Sequence, residues 1–138
     1  LDHRLAIETG VAIRAAERAV PEDLETLVEL TDTMDESTHE FESYRQADLR
    51  FHMGLAEAAH SPRLVEAMAE IQSELDEVIE LVPHPQEVLE RSNDQHRELI
   101  ALLKKGDADG AAKLIRSHVE GTEYFLAGMP PADTVARR

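Results

Sequence analysis

Six stretches with helical periodicity, separated by prolines and glycines, are the feature that most constrains the fold of this chain. Within them apolar residues recur at spacings of three and four, as in Met68, Ile71 and Leu75, and no stretch shows the alternation typical of strands. Pro21 stands where a proline starts a helix, and Gly106 where a glycine ends one. The pattern therefore predicts an all-α protein of about six helices.

Length and composition exclude several classes of protein. A chain of 138 residues is one domain with room for a core, and the absence of cysteine excludes disulfides and thiolate ligands. With 29 acidic against 14 basic residues and a net charge of -15, the chain would be repelled by nucleic-acid phosphates. No apolar run has the roughly 20 residues needed to span a membrane, and no signal peptide is evident. We expect a cytoplasmic protein without membrane contact.

Four polar residues occupy positions where the helical pattern calls for apolar ones. Asp48 and His52 are four residues apart and share a helix face with Phe41, Tyr44 and Leu55. His96 lies on the apolar stripe that continues through Leu99 and Ile100, and His118 lies on the stripe of Ile115, Val119 and Phe125. The pattern therefore predicts that all four side chains point into the core.

Burying these groups requires a compensating partner. An ionised aspartate in an apolar core costs several kcal/mol unless it is paired, and an unsatisfied imidazole costs about 1–3 kcal/mol. Carboxylate and neutral imidazole are both good ligands for divalent metals, so Asp48, His52, His96 and His118 predict one metal site. Zinc is the first choice, with nickel or manganese as alternatives. The competing interpretation is a hydrogen-bonded Asp–His pair and two unrelated core histidines.

The other histidines lie near helix ends or between prolines, and we expect them to be solvated: His3, His39, His60 and His84. Two Glu-x-x-His steps, Glu36 to His39 and Glu57 to His60, invite comparison with di-iron bundles. Neither step occupies the middle of an apolar stripe, so this comparison is weak.

An ordered set of short motifs resembles the FadR-type C-terminal domain of GntR-family transcription regulators. The resemblance covers about Arg4 to Phe125, and its motifs are Arg4-x-x-Ile7-Glu8, Ala15-Ala16-Glu17-Arg18-Ala19, Asp48-x-x-Phe51-His52, Leu55-Ala56-Glu57-Ala58-Ala59, His96 with Ile100, Gly106-Asp107, Ala111 and Arg116-x-His118. One departure is His60-Ser61, where relatives commonly have Gly-Asn, at a helix junction rather than in the site.

The resemblance implies an antiparallel helical bundle whose central pocket binds a small effector, often a carboxylate metabolite. It assigns residues 1–127 to this domain and leaves residues 128–138 as a tail that we expect to be disordered. In the metal-binding branch the ligands are one Asp and three His, which fall on the four residues already singled out. The resemblance also implies a homodimer, and an N-terminal winged helix-turn-helix domain in the full-length protein that contacts operator DNA.

We therefore predict the effector-sensing and dimerising domain of a bacterial transcription regulator. Arg45 lies near the face of Asp48 and His52, and Ser92 and Asn93 lie one turn before His96, so these three are predicted effector contacts. The alternatives are a metal-dependent enzyme, such as a hydrolase or isomerase, and a purely structural bundle. The enzyme is disfavoured because no carboxylate other than Asp48 evidently shares the inner stripes to serve as a base.

Overall fold

Six helices form the protein in the computed structural model, which describes residues 1–82 and 84–126. No strand occurs in those ranges, and the all-α prediction is confirmed. The helices are α1 (Asp2–Arg18), α2 (Pro21–Glu36), α3 (Phe41–Ala58), α4 (Pro62–Ile79), α5 (Gln86–Lys105) and α6 (Ala108–Leu126).

Local chain chemistry places the helix ends close to their predicted positions. Pro21 and Pro62 are the first residues of α2 and α4, where the missing N–H of proline leaves no hydrogen bond unmade. Gly106 ends α5 with φ of 71°, a left-handed conformation that glycine adopts without steric cost. Ser61 occupies the N-cap position of α4, although its side chain makes no capping hydrogen bond.

Short connections join two pairs of helices that pack against each other. The α2–α3 pair is joined through residues 37–40 and the α5–α6 pair through residues 106–107, and each pair packs together. Helix α1 packs against α3, α4, α5 and α6. The largest fully buried apolar side chains come from all six helices, and they include Val11, Leu27, Met34, Phe51, Leu55, Met68, Leu99, Ile115 and Val119.

Two predictions concern residues that the structure does not describe. These are the domain limit at residue 127 and the tail over residues 128–138, since α6 is described as far as Leu126. Among the described helices, none combines the length and apolar character that crossing a membrane requires.

Candidate metal centre

The structure brings three of the four predicted ligands together in the middle of the bundle. His52 lies on α3, His96 on α5 and His118 on α6, and all three side chains are buried. The three residues each offer a ring nitrogen, and these nitrogens all lie within 4.8 Å of one another. Three helices therefore present histidines at a spacing that suits a single metal ion.

Asp48, the fourth predicted ligand, lies one turn before His52 and contacts two of the three rings. Its Oδ1 atom is 3.4 Å from Nε2 of His52 and 3.2 Å from Nε2 of His96. The side chain is 26% exposed although Oδ1 itself is buried, so Asp48 connects the histidines to a pocket between α3 and α4. This pocket has a cavity volume of about 10 Å³ and is lined by Arg45, Asp48, Leu49, Gln72, Leu75, Asp76 and Ile79.

Each of the three histidines is held through Nδ1 by a side-chain oxygen. The pairs are His52 with Oε1 of Glu8 at 2.6 Å, His96 with Oδ1 of Asn93 at 3.1 Å, and His118 with Oε1 of Gln95 at 2.7 Å. Ionised carboxylate and amide oxygens accept hydrogen bonds and cannot donate them, so Nδ1 carries a proton in all three rings. Nε2 is then the atom that each ring can offer to a metal.

The contact between His96 and Asp48 tests whether these residues suit a metal ion. Asn93 donates its amide hydrogens to the carbonyl of Thr31 at 2.9 Å and to Asp35 at 2.6 Å, so its oxygen must accept from His96. Nε2 of neutral His96 is therefore an acceptor, and it faces Oδ1 of Asp48, which is another acceptor. Both atoms are buried without a hydrogen-bond partner among the described residues. Two such acceptors repel each other unless a cation lies between them, so the residues present fit a divalent metal.

The protonation states support the same conclusion. Burial lowers the pKa of His96, and burial together with the neighbouring His96 and His52 rings lowers the pKa of His118 well below its usual range. Burial also opposes charge on His52, but the carboxylates of Glu8 and Asp48 outweigh it and raise the pKa of His52 to about 10. Although burial favours the neutral acid, the charged His52 ring holds the pKa of Asp48 well below its ordinary value. Two rings are thus neutral, as ligation requires, and the third carries a proton that a metal would replace.

Glu8, which the helical pattern did not single out, is a second carboxylate beside the centre. Its side chain is 0% exposed, and its Oε2 accepts a hydrogen bond from Nε of Arg4 at 2.6 Å. Although burial alone would raise it, the interactions with His52 and Arg4 lower the pKa of Glu8 to about 2. The expectation that Asp48 is the one inward carboxylate is therefore wrong. Both oxygens of Glu8 are held, by His52 and Arg4, so it is not free to serve as the base that a metal-dependent enzyme would need.

Arg45, a predicted effector contact, lies beside Asp48 in the pocket between α3 and α4. Its guanidinium is paired with Glu42 of the same helix at 2.6 Å and with Asp76 of α4, and Glu80 lies 3.5 Å away. The side chain is 11% exposed. Effector binding by Arg45 stays a prediction, and it would have to compete with these acidic partners.

Ser92 and Asn93, the other predicted effector contacts, lie one turn before His96 on α5. Ser92 is half-buried, whereas Asn93 is fully buried and uses its amide to hold His96. The structure thus shows Asn93 holding the ring of His96 in the candidate metal centre. An effector contact by either residue stays a prediction.

His84 differs from the prediction that it is solvated. It is half-buried, and its ring stacks on Phe41 with centroids 4.5 Å apart and meets the tilted ring of Phe125 at 4.6 Å. Its Nδ1 donates to the carbonyl of Val82 at 2.7 Å, and burial lowers the pKa of His84. The cause is tertiary, because the two phenylalanines come from the start of α3 and the end of α6.

The remaining histidines and the glutamates of the two Glu-x-x-His steps are exposed, so no di-iron group forms from them: His3, His39, His60, Glu36 and Glu57. Four of the seven histidines therefore lie away from the centre, and the three ligands predicted from the apolar stripes are the ones that converge.

The model of the FCD domain family matches residues 1–121. The chain therefore belongs to the FCD domain family, and the resemblance to GntR-family regulators is confirmed. It is 33% identical over 126 residues to the "Putative L-lactate dehydrogenase operon regulatory protein" of Escherichia coli (strain K12), covering 86% of this chain and 47% of that protein. It is 27% identical over 109 residues to the "Galactonate operon transcriptional repressor" of the same strain, covering 78% of this chain and 48% of that protein.

The chain thus spans about half the length of these curated relatives. Among solved structures, E. coli McbR/YncC shares the fold with a TM-score of 0.83 and 18% sequence identity, over 91% of this chain and 61% of that chain. The relatives are named as transcriptional regulators and not as enzymes, in agreement with the preference for a regulator.

Proposed function

We propose that this FCD domain senses a small hydroxycarboxylate through a divalent metal ion held by Asp48, His52, His96 and His118. The observation that carries the proposal is the pair of buried acceptors, Oδ1 of Asp48 and Nε2 of His96, facing each other at 3.2 Å. The three tautomers that Glu8, Asn93 and Gln95 select leave Nε2 available in each ring. Nitrogen and oxygen ligands of this kind suit zinc first, and also nickel or manganese.

A hydroxycarboxylate fits the chemistry next to these ligands. When bound, the ion would supply Lewis-acid coordination for effector oxygens, because four protein ligands do not fill a five- or six-coordinate metal. The pocket beside Asp48 supplies Arg45 as a cation and Gln72 as a polar neighbour. The relatives' names contain L-lactate and galactonate, and both acids carry a hydroxyl beside the carboxylate.

The regulatory role follows from the family and from the geometry of the ligands. Ligands on α3, α5 and α6 meet at one point, so an added effector oxygen would shift these helices relative to each other. We propose that this shift controls a DNA-binding domain in the full-length protein, which acts on operator DNA as a cytoplasmic homodimer. Sedimentation of the full-length protein, expected to give a dimer, tests the assembly.

Metal binding is tested first, by native mass spectrometry and metal analysis of the 138-residue chain. We expect one divalent ion per chain in the wild type and none in the double variant His96→Ala/His118→Ala. His60→Ala is the matched control, because His60 is exposed and is not one of the converging histidines, and it should keep the ion. Full occupancy in the double variant would refute the site.

Effector binding is then tested by calorimetry of lactate and related hydroxycarboxylates against metal-loaded and metal-free protein. Arg45→Ala should weaken binding to the loaded protein. Arg14→Ala is the control, because Arg14 is also paired with an acidic residue, the exposed Glu17, but does not line the pocket. Equal affinity of an effector with and without metal would contradict a role for the metal in recognition.

A further inference from the structure

The three histidines of the centre are held by partners of different charge. Asn93 and Gln95 are neutral amides, whereas the partner of His52 is the carboxylate of Glu8. A buried carboxylate is costly to keep ionised, and Glu8 is only 1% exposed. An ionised carboxylate buried beside the His52 ring therefore indicates a specific role for Glu8.

Arg4 fixes how Glu8 presents its oxygens. Nε of Arg4 donates to Oε2 at 2.6 Å, which leaves Oε1 for His52, and Nη1 of Arg4 donates to Glu123 at 3.2 Å. The side chain of Arg4 is itself 7% exposed, so the whole line from Arg4 to His52 is shielded from water. The hydrogen bonds from Arg4 through Glu8 to His52 therefore have one arrangement of donors and acceptors, in which an ionised oxygen of Glu8 accepts the Nδ1 proton of His52.

We propose that Glu8 is a positioning residue for the metal centre, which fixes the tautomer and orientation of His52 and so sets the affinity for divalent cations. The inference rests on the proposed function, since it concerns the same ion. A carboxylate behind a ligating imidazole orients the ring and makes its other nitrogen a stronger donor. Glu8 does not touch the ion and acts through His52.

The arrangement makes an isosteric substitution unusually informative. In Glu8→Gln, Nε of Arg4 still needs an acceptor, so the amide oxygen turns to Arg4 and the NH₂ group turns to Nδ1 of His52. His52 then has to accept at Nδ1 and carry its proton on Nε2, which prevents ligation. A merely structural role would predict the opposite order, with Gln tolerated better than Ala because it preserves volume.

The experiment measures zinc affinity of the 138-residue chain at pH 7.5 by competition with a chromophoric chelator. Glu8→Gln is expected to bind zinc about 10–100-fold more weakly than the wild type, and Glu8→Ala no more weakly than Glu8→Gln. Glu17→Gln is the matched control, because Glu17 is an exposed glutamate of the same helix paired with Arg14, and it should leave the affinity unchanged. The absorption spectrum of the Co²⁺ form should change in Glu8→Gln and not in Glu17→Gln.

A gain-of-affinity variant keeps the test independent of how Glu8 variants fold. Gln95→Glu places a carboxylate behind His118, and the same reasoning predicts zinc binding several-fold tighter than the wild type. Circular dichroism reports folding of every variant.

Two results separate the inference from the proposed function. If the wild type binds zinc and a folded Glu8→Gln binds within twofold of it, the role of Glu8 is overturned and the metal site stands. If the wild type binds zinc no better than His118→Ala, the metal site fails, and the inference about Glu8 fails with it.

Discussion

Binding of a divalent metal should release close to one proton per chain at every pH between 6.5 and 8. His52 lies 2.6 Å from Glu8 and 3.4 Å from Asp48, and although burial opposes its charge these carboxylates raise the pKa of His52 to about 10. The pKa values of His96 and His118 are lowered, so those rings are already neutral. Only His52 has a proton to lose over this range.

The direction and size of the pH dependence of metal affinity follow from His52 alone. Because its pKa is raised, metal-free His52 holds its proton below about pH 10 and must lose it to ligate. Each pH unit below the pKa costs about 1.4 kcal/mol, so at pH 7 the proton reduces the free energy of metal binding by about 4 kcal/mol. Metal affinity should therefore rise about tenfold per pH unit from pH 6.5 to 8.

Calorimetry of Mn²⁺ binding in buffers of different ionisation enthalpy counts the protons. Manganese is the probe because zinc lowers the pKa of a bound water to about 7 and would add a proton of its own. Three histidines of ordinary pKa would release roughly 1.5 protons at pH 6.5 and roughly 0.3 at pH 7.5. Proton release that falls in this way, or an affinity that is flat above pH 7, would refute the assignment of the charge to His52.

Three further predictions concern the stability of the metal-free protein. Because the pKa of Glu8 is lowered to about 2, against an ordinary value of 4.5, its contribution of about 3 kcal/mol should be complete above pH 4.5 and be lost as the pH falls toward 2. Urea unfolding at several pH values measures this loss, which should be smaller in Glu8→Gln. Gly106→Ala should lower the free energy of unfolding by about 1–2 kcal/mol, because φ is 71° at this position, and an unchanged melting temperature would contradict the strain. Phe51→Ala should cost about 3–5 kcal/mol in urea unfolding, because the ring is fully buried against His96 with centroids 4.4 Å apart, and a loss below 1 kcal/mol would show that the core closes over the cavity.

The helices were predictable because their limits depend on local chain chemistry. Pro21, Pro62 and Gly106 act through their own backbone preferences, which hold whatever the rest of the chain does. Side-chain capping is less predictable, since Ser61 stands at the N-cap of α4 without a capping bond and a serine hydroxyl has other geometries available.

The convergence of the three histidines was also predictable, because a polar residue on an apolar stripe points inward in any helical bundle. Glu8 was missed because charged residues on a helix are normally assigned to solvent. A signal existed: Arg4, Glu8, Val11 and Ala15 recur at spacings of four, three and four and form one buried stripe of α1. Two opposite charges on such a stripe indicate a buried ion pair rather than a solvated face.

The placement of His84 had no local signal. Its aromatic neighbours, Phe41 and Phe125, lie 43 residues before it and 41 after it, and only the tertiary fold brings the start of α3 and the end of α6 to the same ring. Sequence spacing cannot supply such a contact, since it depends on how whole helices are arranged.

The acidic surroundings of Arg45 have a consequence for the order in which molecules arrive. Asp76, Glu42 and Glu80 surround the guanidinium at the pocket that leads to Asp48, on a chain whose net charge is -15. Long-range attraction accelerates the diffusion of cations toward such an opening and slows anions. A metal ion should therefore associate rapidly at low salt, and its association rate should fall as salt is added. The association rate of a carboxylate should instead rise with salt, because screening removes its repulsion. The cation is thus kinetically favoured to arrive first.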